Sequence, residues 1–104
     1  MEQQGRLFVT DIYEALRDDA RSVGLKTIAA KLWPEKPLEQ AHTYLLNCVD
    51  PNRHEKLSLA QIVYIIKEAR RRGSYVAMSF IGQEAGFRVE MMDPDAEADS
   101  LMKM

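Results

Sequence analysis

Four polar side chains that could recognise a nucleic acid fall within one short stretch, residues 38–48. They are Gln40, His42, Thr43 and Asn47, which carry amide, imidazole and hydroxyl groups. Such groups match the hydrogen-bonding pattern that base edges present in the major groove of DNA. They could also bind phosphate oxygens, or simply lie on a solvated surface. This stretch is therefore the candidate for reading bases.

Basic residues near this stretch could hold the phosphate backbone. The candidates for backbone contacts are Lys26, Thr27, Lys31, Lys36, Arg53 and Lys56. The 104 residues carry a formal charge of −2, but residues 90–104 hold five acids and one base, whereas residues 26–73 hold nine bases and five acids. Because affinity for phosphate depends on local contacts, the surplus of +4 in residues 26–73 permits DNA binding. A solvated basic surface beside an acidic tail is the alternative.

Catalysis and metal binding have no comparable support in the sequence. Cys48 is the single cysteine, and it forms no metal-ligand spacing with the two separated histidines, His42 and His54. The sequence also lacks a glycine-rich phosphate loop and a Gly-x-Ser-x-Gly turn. We therefore expect no enzyme activity, no cofactor and no metal, and we expect Cys48 to be a small core residue.

The periodicity of apolar residues predicts an all-α fold of five helices, which must position these side chains. Thr10 is the predicted cap of the first helix and Gly24 its end. The others are predicted at 26–33, from near Pro37 to Cys48, from a Ser58–Gln61 capping box to Gly73, and from Ser74 to Gly86.

Two apolar faces and one aromatic residue are predicted to build the core. The apolar face of the third helix consists of Leu38, Ala41, Leu45 and Cys48. The apolar face of the fourth helix consists of Leu59, Ile62, Val63, Ile66 and Ala69. Trp33 is predicted to fill the space beneath the turn that follows the second helix. The last helix is so apolar that it either closes the core or forms a dimer surface.

The predicted organisation is one domain with two extensions. Residues 1–8 form an N-terminal extension, residues 9–87 the helical domain, and residues 88–104 an acidic tail predicted to be disordered. A secretory signal is not visible at the N-terminus, and no apolar run approaches the ~20 residues that span a bilayer. We therefore expect a cytoplasmic protein with no membrane contact.

The second and third segments together have the features of a helix-turn-helix. In that motif the first helix crosses the DNA backbone and the second enters the major groove. The stretch Ile28-Ala-Ala-Lys-Leu32 offers a small residue at the helix crossing and a leucine before the turn. The turn, residues 33–37, is longer than the usual three or four residues. Glu39 would repel phosphates, although it could accept a hydrogen bond from a cytosine amino group.

From about Gly24 to Phe87 the chain resembles the CII-like regulatory proteins of temperate phages. The resemblance lies in Ile28-Ala-Ala-Lys-Leu32, Leu45-Leu-Asn-Cys-Val-Asp-Pro51, Glu55-Lys-Leu-Ser-Leu-Ala-Gln61 and the ending Ala85-Gly-Phe87. It implies a helix-turn-helix protein that binds operator DNA as an oligomer and controls phage or prophage transcription. Leu46 and Cys48 stand where that family's motif has basic residues.

The leading hypothesis is thus a phage-type transcription regulator that binds double-stranded DNA, as a dimer formed through its C-terminal helices. The alternative is an adaptor or anti-regulator that keeps the fold and binds a host or phage protein. Glu39, the missing basic positions and the acidic tail motivate that alternative. In a third possibility, the tail competes with DNA for the basic face.

Overall fold

The computed structural model of the chain describes residues 11–92. Within this part the backbone forms five helices and no strand: α1 (Ile12–Val23), α2 (Leu25–Leu32), α3 (Leu38–Cys48), α4 (Leu59–Arg71) and α5 (Val76–Ala85). The predicted all-α, five-helix fold is confirmed. The predicted extension, residues 1–8, and most of the predicted tail, residues 93–104, lie outside the described residues.

Helix α1 starts one residue later than the sequence predicts. Asp11 is the cap, and its carboxylate accepts a hydrogen bond from the Glu14 backbone N–H at 2.8 Å. Thr10, the predicted cap, lies outside the described residues. Gly24 ends α1 as predicted, with a φ of 120° that favours glycine, and α2 begins at the next residue.

Helix α1 is the centre of the fold, since it packs against α2, α4 and α5, while α2 packs against α3. One core joins these helices and makes the described residues a single domain. The most buried apolar residues in it are Ala15, Leu16, Ala20, Ile28, Ala29, Trp33, Ala41, Leu45, Cys48, Val49, Ile65 and Ala77. Cys48 is 1% exposed, so its predicted core position is confirmed.

A buried carboxylate joins α1 to the start of α5. Asp19 is 0% exposed and accepts three hydrogen bonds: from the Ser74 hydroxyl at 2.7 Å, and from the backbone N–H groups of Val76 and Ala77 at 3.0 Å each. It therefore caps α5 from another helix. The predicted start of α5 at Ser74 is wrong, because Ser74 binds Asp19 and the helix begins at Val76.

Helix α4 has the predicted capping box but a different buried face. Ser58 and Gln61 each accept a hydrogen bond from the other's backbone N–H, at 3.2 Å and 2.8 Å. Ile65 and Ala69 are buried, whereas Leu59 is 76% exposed and Val63 is 45% exposed. The predicted inward positions of Leu59 and Val63 are wrong. Because apolar residues surround the first two turns, periodicity alone does not fix which face meets α1.

Helix α3 has the predicted bounds, and Ala41, Leu45 and Cys48 are buried. Leu38 is 45% exposed, contrary to the prediction, because it is the first residue of the helix and solvent reaches it there.

After α5 the chain folds back on the helix. Gly86 adopts a left-handed conformation, and Phe87 donates a backbone hydrogen bond to Gly82 at 2.7 Å. A Cβ atom at Gly82 would lie 2.5 Å from Val89 Cγ2, so glycine permits this close approach. The apolar residues of α5 close the core through Ala77, with Val76 and Phe80 packed against it.

Candidate nucleic-acid interface

Helices α2 and α3 form the pair on which the base-reading prediction depends. They pack against each other, with Ile28 and Ala29 of α2 and Ala41 and Leu45 of α3 in the shared core. Residues 33–37 connect them. An ion pair also links the first turns of the two helices, with Lys26 Nζ 3.1 Å from Glu39 Oε2. The outer side of α3 therefore has a fixed orientation relative to α2.

An open depression of about 400 Å³ lies along this outer side. Its lining residues are Lys36, Glu39, Gln40, Thr43, Tyr44 and Asn47. They recur at the three- and four-residue spacing that places side chains on one face of a helix. Gln40 and Thr43 are exposed and Asn47 is half-buried. Three of the four predicted base-reading residues thus lie together.

His42, the fourth predicted base reader, does not line this depression. At about 100° per residue, its direction is about 160° from that of Gln40 around the helix axis. It lies instead between Leu38 and Leu46, at spacings of four residues, which are 45% and 37% exposed. Helix α3 therefore presents two stripes to solvent. The polar stripe consists of Gln40, Thr43 and Asn47, and the largely apolar stripe consists of Leu38, His42 and Leu46.

Aromatic packing supports the polar stripe from beneath. The Trp33 and Tyr44 rings meet edge to face, with their centroids 4.9 Å apart. Lys36 Nζ lies over the Tyr44 ring at 5.3 Å from its centroid, within the range of a cation–π interaction. Trp33 is 9% exposed, so its predicted role as an apolar filler is confirmed. Tyr44 was not predicted as a site residue, although its position four residues after Gln40 places it on the same face.

The six candidates for phosphate contacts fall into two groups. Thr27 and Lys31 are exposed on α2, and Lys36 is half-buried at the edge of the depression. Lys26, Arg53 and Lys56 already form ion pairs or hydrogen bonds with groups of this chain. The first is paired with Glu39, as described above, and Arg53 Nε lies 3.4 Å from Glu55 Oε1.

Lys56 stabilises the loop between α3 and α4. Its ammonium group donates to the carbonyl oxygen of Asp50 at 3.3 Å and to that of Arg53, and it lies over the Tyr13 ring at 4.7 Å. The pKa of Glu55 in the same loop is lowered by a hydrogen bond from its own backbone N–H and by the neighbouring Arg53. Lys56 is thus engaged within the fold rather than held ready for a ligand.

The positive charge of residues 26–73 is not concentrated on α2 and α3. Residues 67–73, at the C-terminal end of α4, contain one acid, Glu68, and four bases, which are Lys67, Arg70, Arg71 and Arg72. Their net charge of +3 accounts for most of the total of +4. The remaining residues, 26–66, hold five bases and four acids, which gives +1. Helix α4 packs on α1, whereas α2 and α3 pack on each other. The basic surplus and the candidate reading face therefore lie on different helices.

Other kinds of site find no support within residues 11–92. Burial raises the pKa of the Cys48 thiol, and the charge of Glu55 raises it further, which makes this cysteine a poor nucleophile. No group of three or more His, Cys, Asp or Glu side chains is placed to hold a metal ion in this part of the chain. None of its helices is long and apolar enough to cross a membrane.

Comparison with known proteins adds no further constraint. No family model, no curated protein and no solved structure matches the chain. The resemblance to the CII-like proteins therefore remains a prediction from the sequence.

Proposed function

We propose that the chain is a DNA-binding transcription regulator of the phage or prophage type, in which α2 and α3 act as a helix-turn-helix. The observation that carries the proposal is the polar stripe of α3, where Gln40, Thr43 and Asn47 line one depression. Ala41 and Leu45 anchor the opposite face of the same helix in the core. An α-helix held in this way fits the major groove of B-DNA.

Each side chain of the stripe has a definable role in such a complex. The amides of Gln40 and Asn47 can bind an adenine through two hydrogen bonds, and Thr43 can contact a thymine methyl group. The phenol of Tyr44 can donate to a phosphate oxygen, and Lys31, Lys36 and Thr27 can hold the backbone on either side. His42 has no base-reading role in this arrangement, because it points away from the stripe.

A single α3 reads too few base pairs to select a site, so we propose that two copies bind together. Helix-turn-helix dimers place their reading helices one turn of DNA apart, at about 34 Å. Two weak half-sites then add their binding energies within one operator.

Protein recognition is the second candidate, and the other stripe of α3 favours it. Leu38 and Leu46 are exposed beside His42, and apolar side chains gain little from phosphate or base edges. Two predicted phosphate contacts are also neutralised by carboxylates, Lys26 by Glu39 and Arg53 by Glu55. An adaptor or anti-regulator would use this stripe to bind a host or phage protein.

Selection of bound duplexes from a random-sequence DNA library tests the first candidate, DNA binding, and does not require the operator sequence to be known. We expect an enriched sequence with two related half-sites, bound less tightly as salt rises from about 50 mM to about 200 mM. Lys31→Gln should weaken binding to all sequences. It should also reduce the salt slope, which is the steepness of the fall of log K with the logarithm of salt concentration, by about one. Lys56→Gln is the matched control and should leave the slope unchanged. Binding that is absent at low salt, or indifferent to salt, would contradict the proposal.

A further inference from the structure

The outer face of α4 combines an apolar end with a basic end. We define this face by Leu59, Val63, Lys67, Arg70 and Arg71, which follow one another at the spacing of one helix face. Leu59 and Val63, in the first two turns, are 76% and 45% exposed. The other three residues make the last turns positive, and the Arg71 guanidinium lies 3.8 Å from Glu68 Oε2, a loose ion pair. No helix within residues 11–92 covers Leu59.

The chain itself returns to the basic end of this face. After Gly86, the backbone folds back with Val89 against Gly82, and the Met92 carbonyl oxygen accepts a hydrogen bond from Arg70 Nη2 at 2.9 Å. The last described residue therefore contacts α4 near its C-terminus. Residue 93 follows Met92 directly in the sequence, so the segment that begins there is attached near the C-terminus of α4.

The order of residues in 93–104 complements the face in the direction leading away from Arg70. Its acids come first and its large apolar residues last: Asp93, Asp95, Glu97, Asp99, then Leu101, Met102 and Met104. Twelve residues reach at most about 40 Å when extended. Along α4, at 1.5 Å per residue, the way from Arg70 to Leu59 is only about 16 Å. The segment is long enough to bring its apolar end to Val63 and Leu59.

We propose that residues 93–104 dock along the outer face of α4, antiparallel to the helix. Their carboxylates meet Lys67, Arg70 and Arg71, and Leu101 and Met102 cover Val63 and Leu59. Attachment at Met92 gives the segment a high effective concentration at this face, which a second copy of the chain does not have. The surplus of only +1 on residues 26–66 favours α4 over the α3 depression as the docking site. The docking is independent of DNA binding.

Paramagnetic relaxation in the full chain tests this directly. A nitroxide is attached at Ser100→Cys, and Cys48 is spared because it is 1% exposed. We expect broadening of the Val63 and Lys67 amides, with the Gln40 and Thr43 amides unaffected. Raising the salt from about 50 mM to about 500 mM should reduce the broadening, since ion pairs at a surface are screened. Neutralising Asp95, Glu97 and Asp99 together should do the same, whereas Glu84→Gln on α5 should have no effect.

Three results would overturn the docking. Broadening of the Gln40 and Thr43 amides in place of those on α4 would place the segment over the α3 depression. Unbroadened α4 amides at low salt would show that the segment does not dock. In a mixture of labelled copies with isotope-enriched unlabelled copies, broadening of Val63 across molecules would show that a second copy covers the face.

Discussion

The junction between α1 and α5 and the outer stripe of α3 are both rich in polar groups, but they differ in whether those groups have partners. The Asp19 carboxylate is fully buried and accepts three hydrogen bonds from Ser74, Val76 and Ala77. On α3, the side chains of Gln40 and Thr43 face solvent and make no hydrogen bond within the described residues.

This difference separates polar groups that hold the fold from polar groups that are available to a ligand. A buried carboxylate is tolerated only when its hydrogen bonds are made inside the protein. An exposed amide costs little to leave hydrated, and it gains a partner only on binding. Substitutions at the junction should therefore change stability, and substitutions on the stripe should change binding.

The largest effect is expected at Asp19. Asp19→Ala leaves the N–H groups of Val76 and Ala77 without their acceptor and should lower the free energy of unfolding by about 2–5 kcal/mol, because each unpaired group costs about 1–3 kcal/mol. Asp18→Ala is the matched control, since Asp18 lies on the surface and pairs with Arg21 at 3.4 Å. Asp18→Ala should lower the free energy of unfolding by only about 0.5 kcal/mol. Urea denaturation measures both, and equal losses would refute the assigned role of Asp19.

Two neighbouring leucines on α3 provide a contrast between a buried and an exposed side chain within one helix. Leu45 is 0% exposed, and Leu45→Ala should lower the free energy of unfolding by about 2–4 kcal/mol through the cavity that it leaves. Leu46 is 37% exposed, and Leu46→Ala should cost less than about 1 kcal/mol. Chemical denaturation of both variants checks this prediction. A larger loss for Leu46 would mean that another chain covers this face in solution.

The features predictable from the sequence are those encoded by neighbouring residues. The capping box of Ser58 and Gln61 lies within four residues, so its hydrogen bonds follow from local geometry. The bounds of α3 follow similarly from Pro37 and the apolar spacing. The cap of α5 is different, because Asp19 precedes it by more than 50 residues and reads as one more acid on the polar side of α1.

The candidate site was predictable to the same degree. Its helix and three of its polar residues follow from periodicity. The same period places His42 about 160° from Gln40, so its grouping with the other three was an error of the prediction and not a result of tertiary packing. The pairing of Lys26 with Glu39 bridges 13 positions and two helices, and no local pattern indicates it. Net charge over residues 26–73 could not show that most of the surplus lies on α4.

Substitutions on the two stripes of α3 should have different effects on DNA binding. Gln40→Ala and Asn47→Ala should each cost about 1–3 kcal/mol of discrimination between the selected site and a scrambled duplex. His42→Ala is the control on the other stripe and should keep that discrimination. Fluorescence anisotropy with both duplexes provides the measurement. If His42→Ala alone abolishes binding, the apolar stripe rather than the polar one is the contact surface.

The smallest expected effect concerns the ion pair at the edge of the stripe. Exposed ion pairs contribute about 0–1 kcal/mol to folding, so Glu39→Gln should leave stability nearly unchanged. It removes a negative charge that faces the phosphates and releases Lys26 for contact with them, so DNA affinity should rise several-fold, most clearly at low salt. Lys26→Gln should lower the affinity, and the double variant should lack the gain seen for Glu39→Gln. Titration of the three variants measures this coupling. Because a protein partner of the apolar stripe has no need of the released lysine, a gain in DNA affinity that requires Lys26 would favour DNA as the ligand of α3.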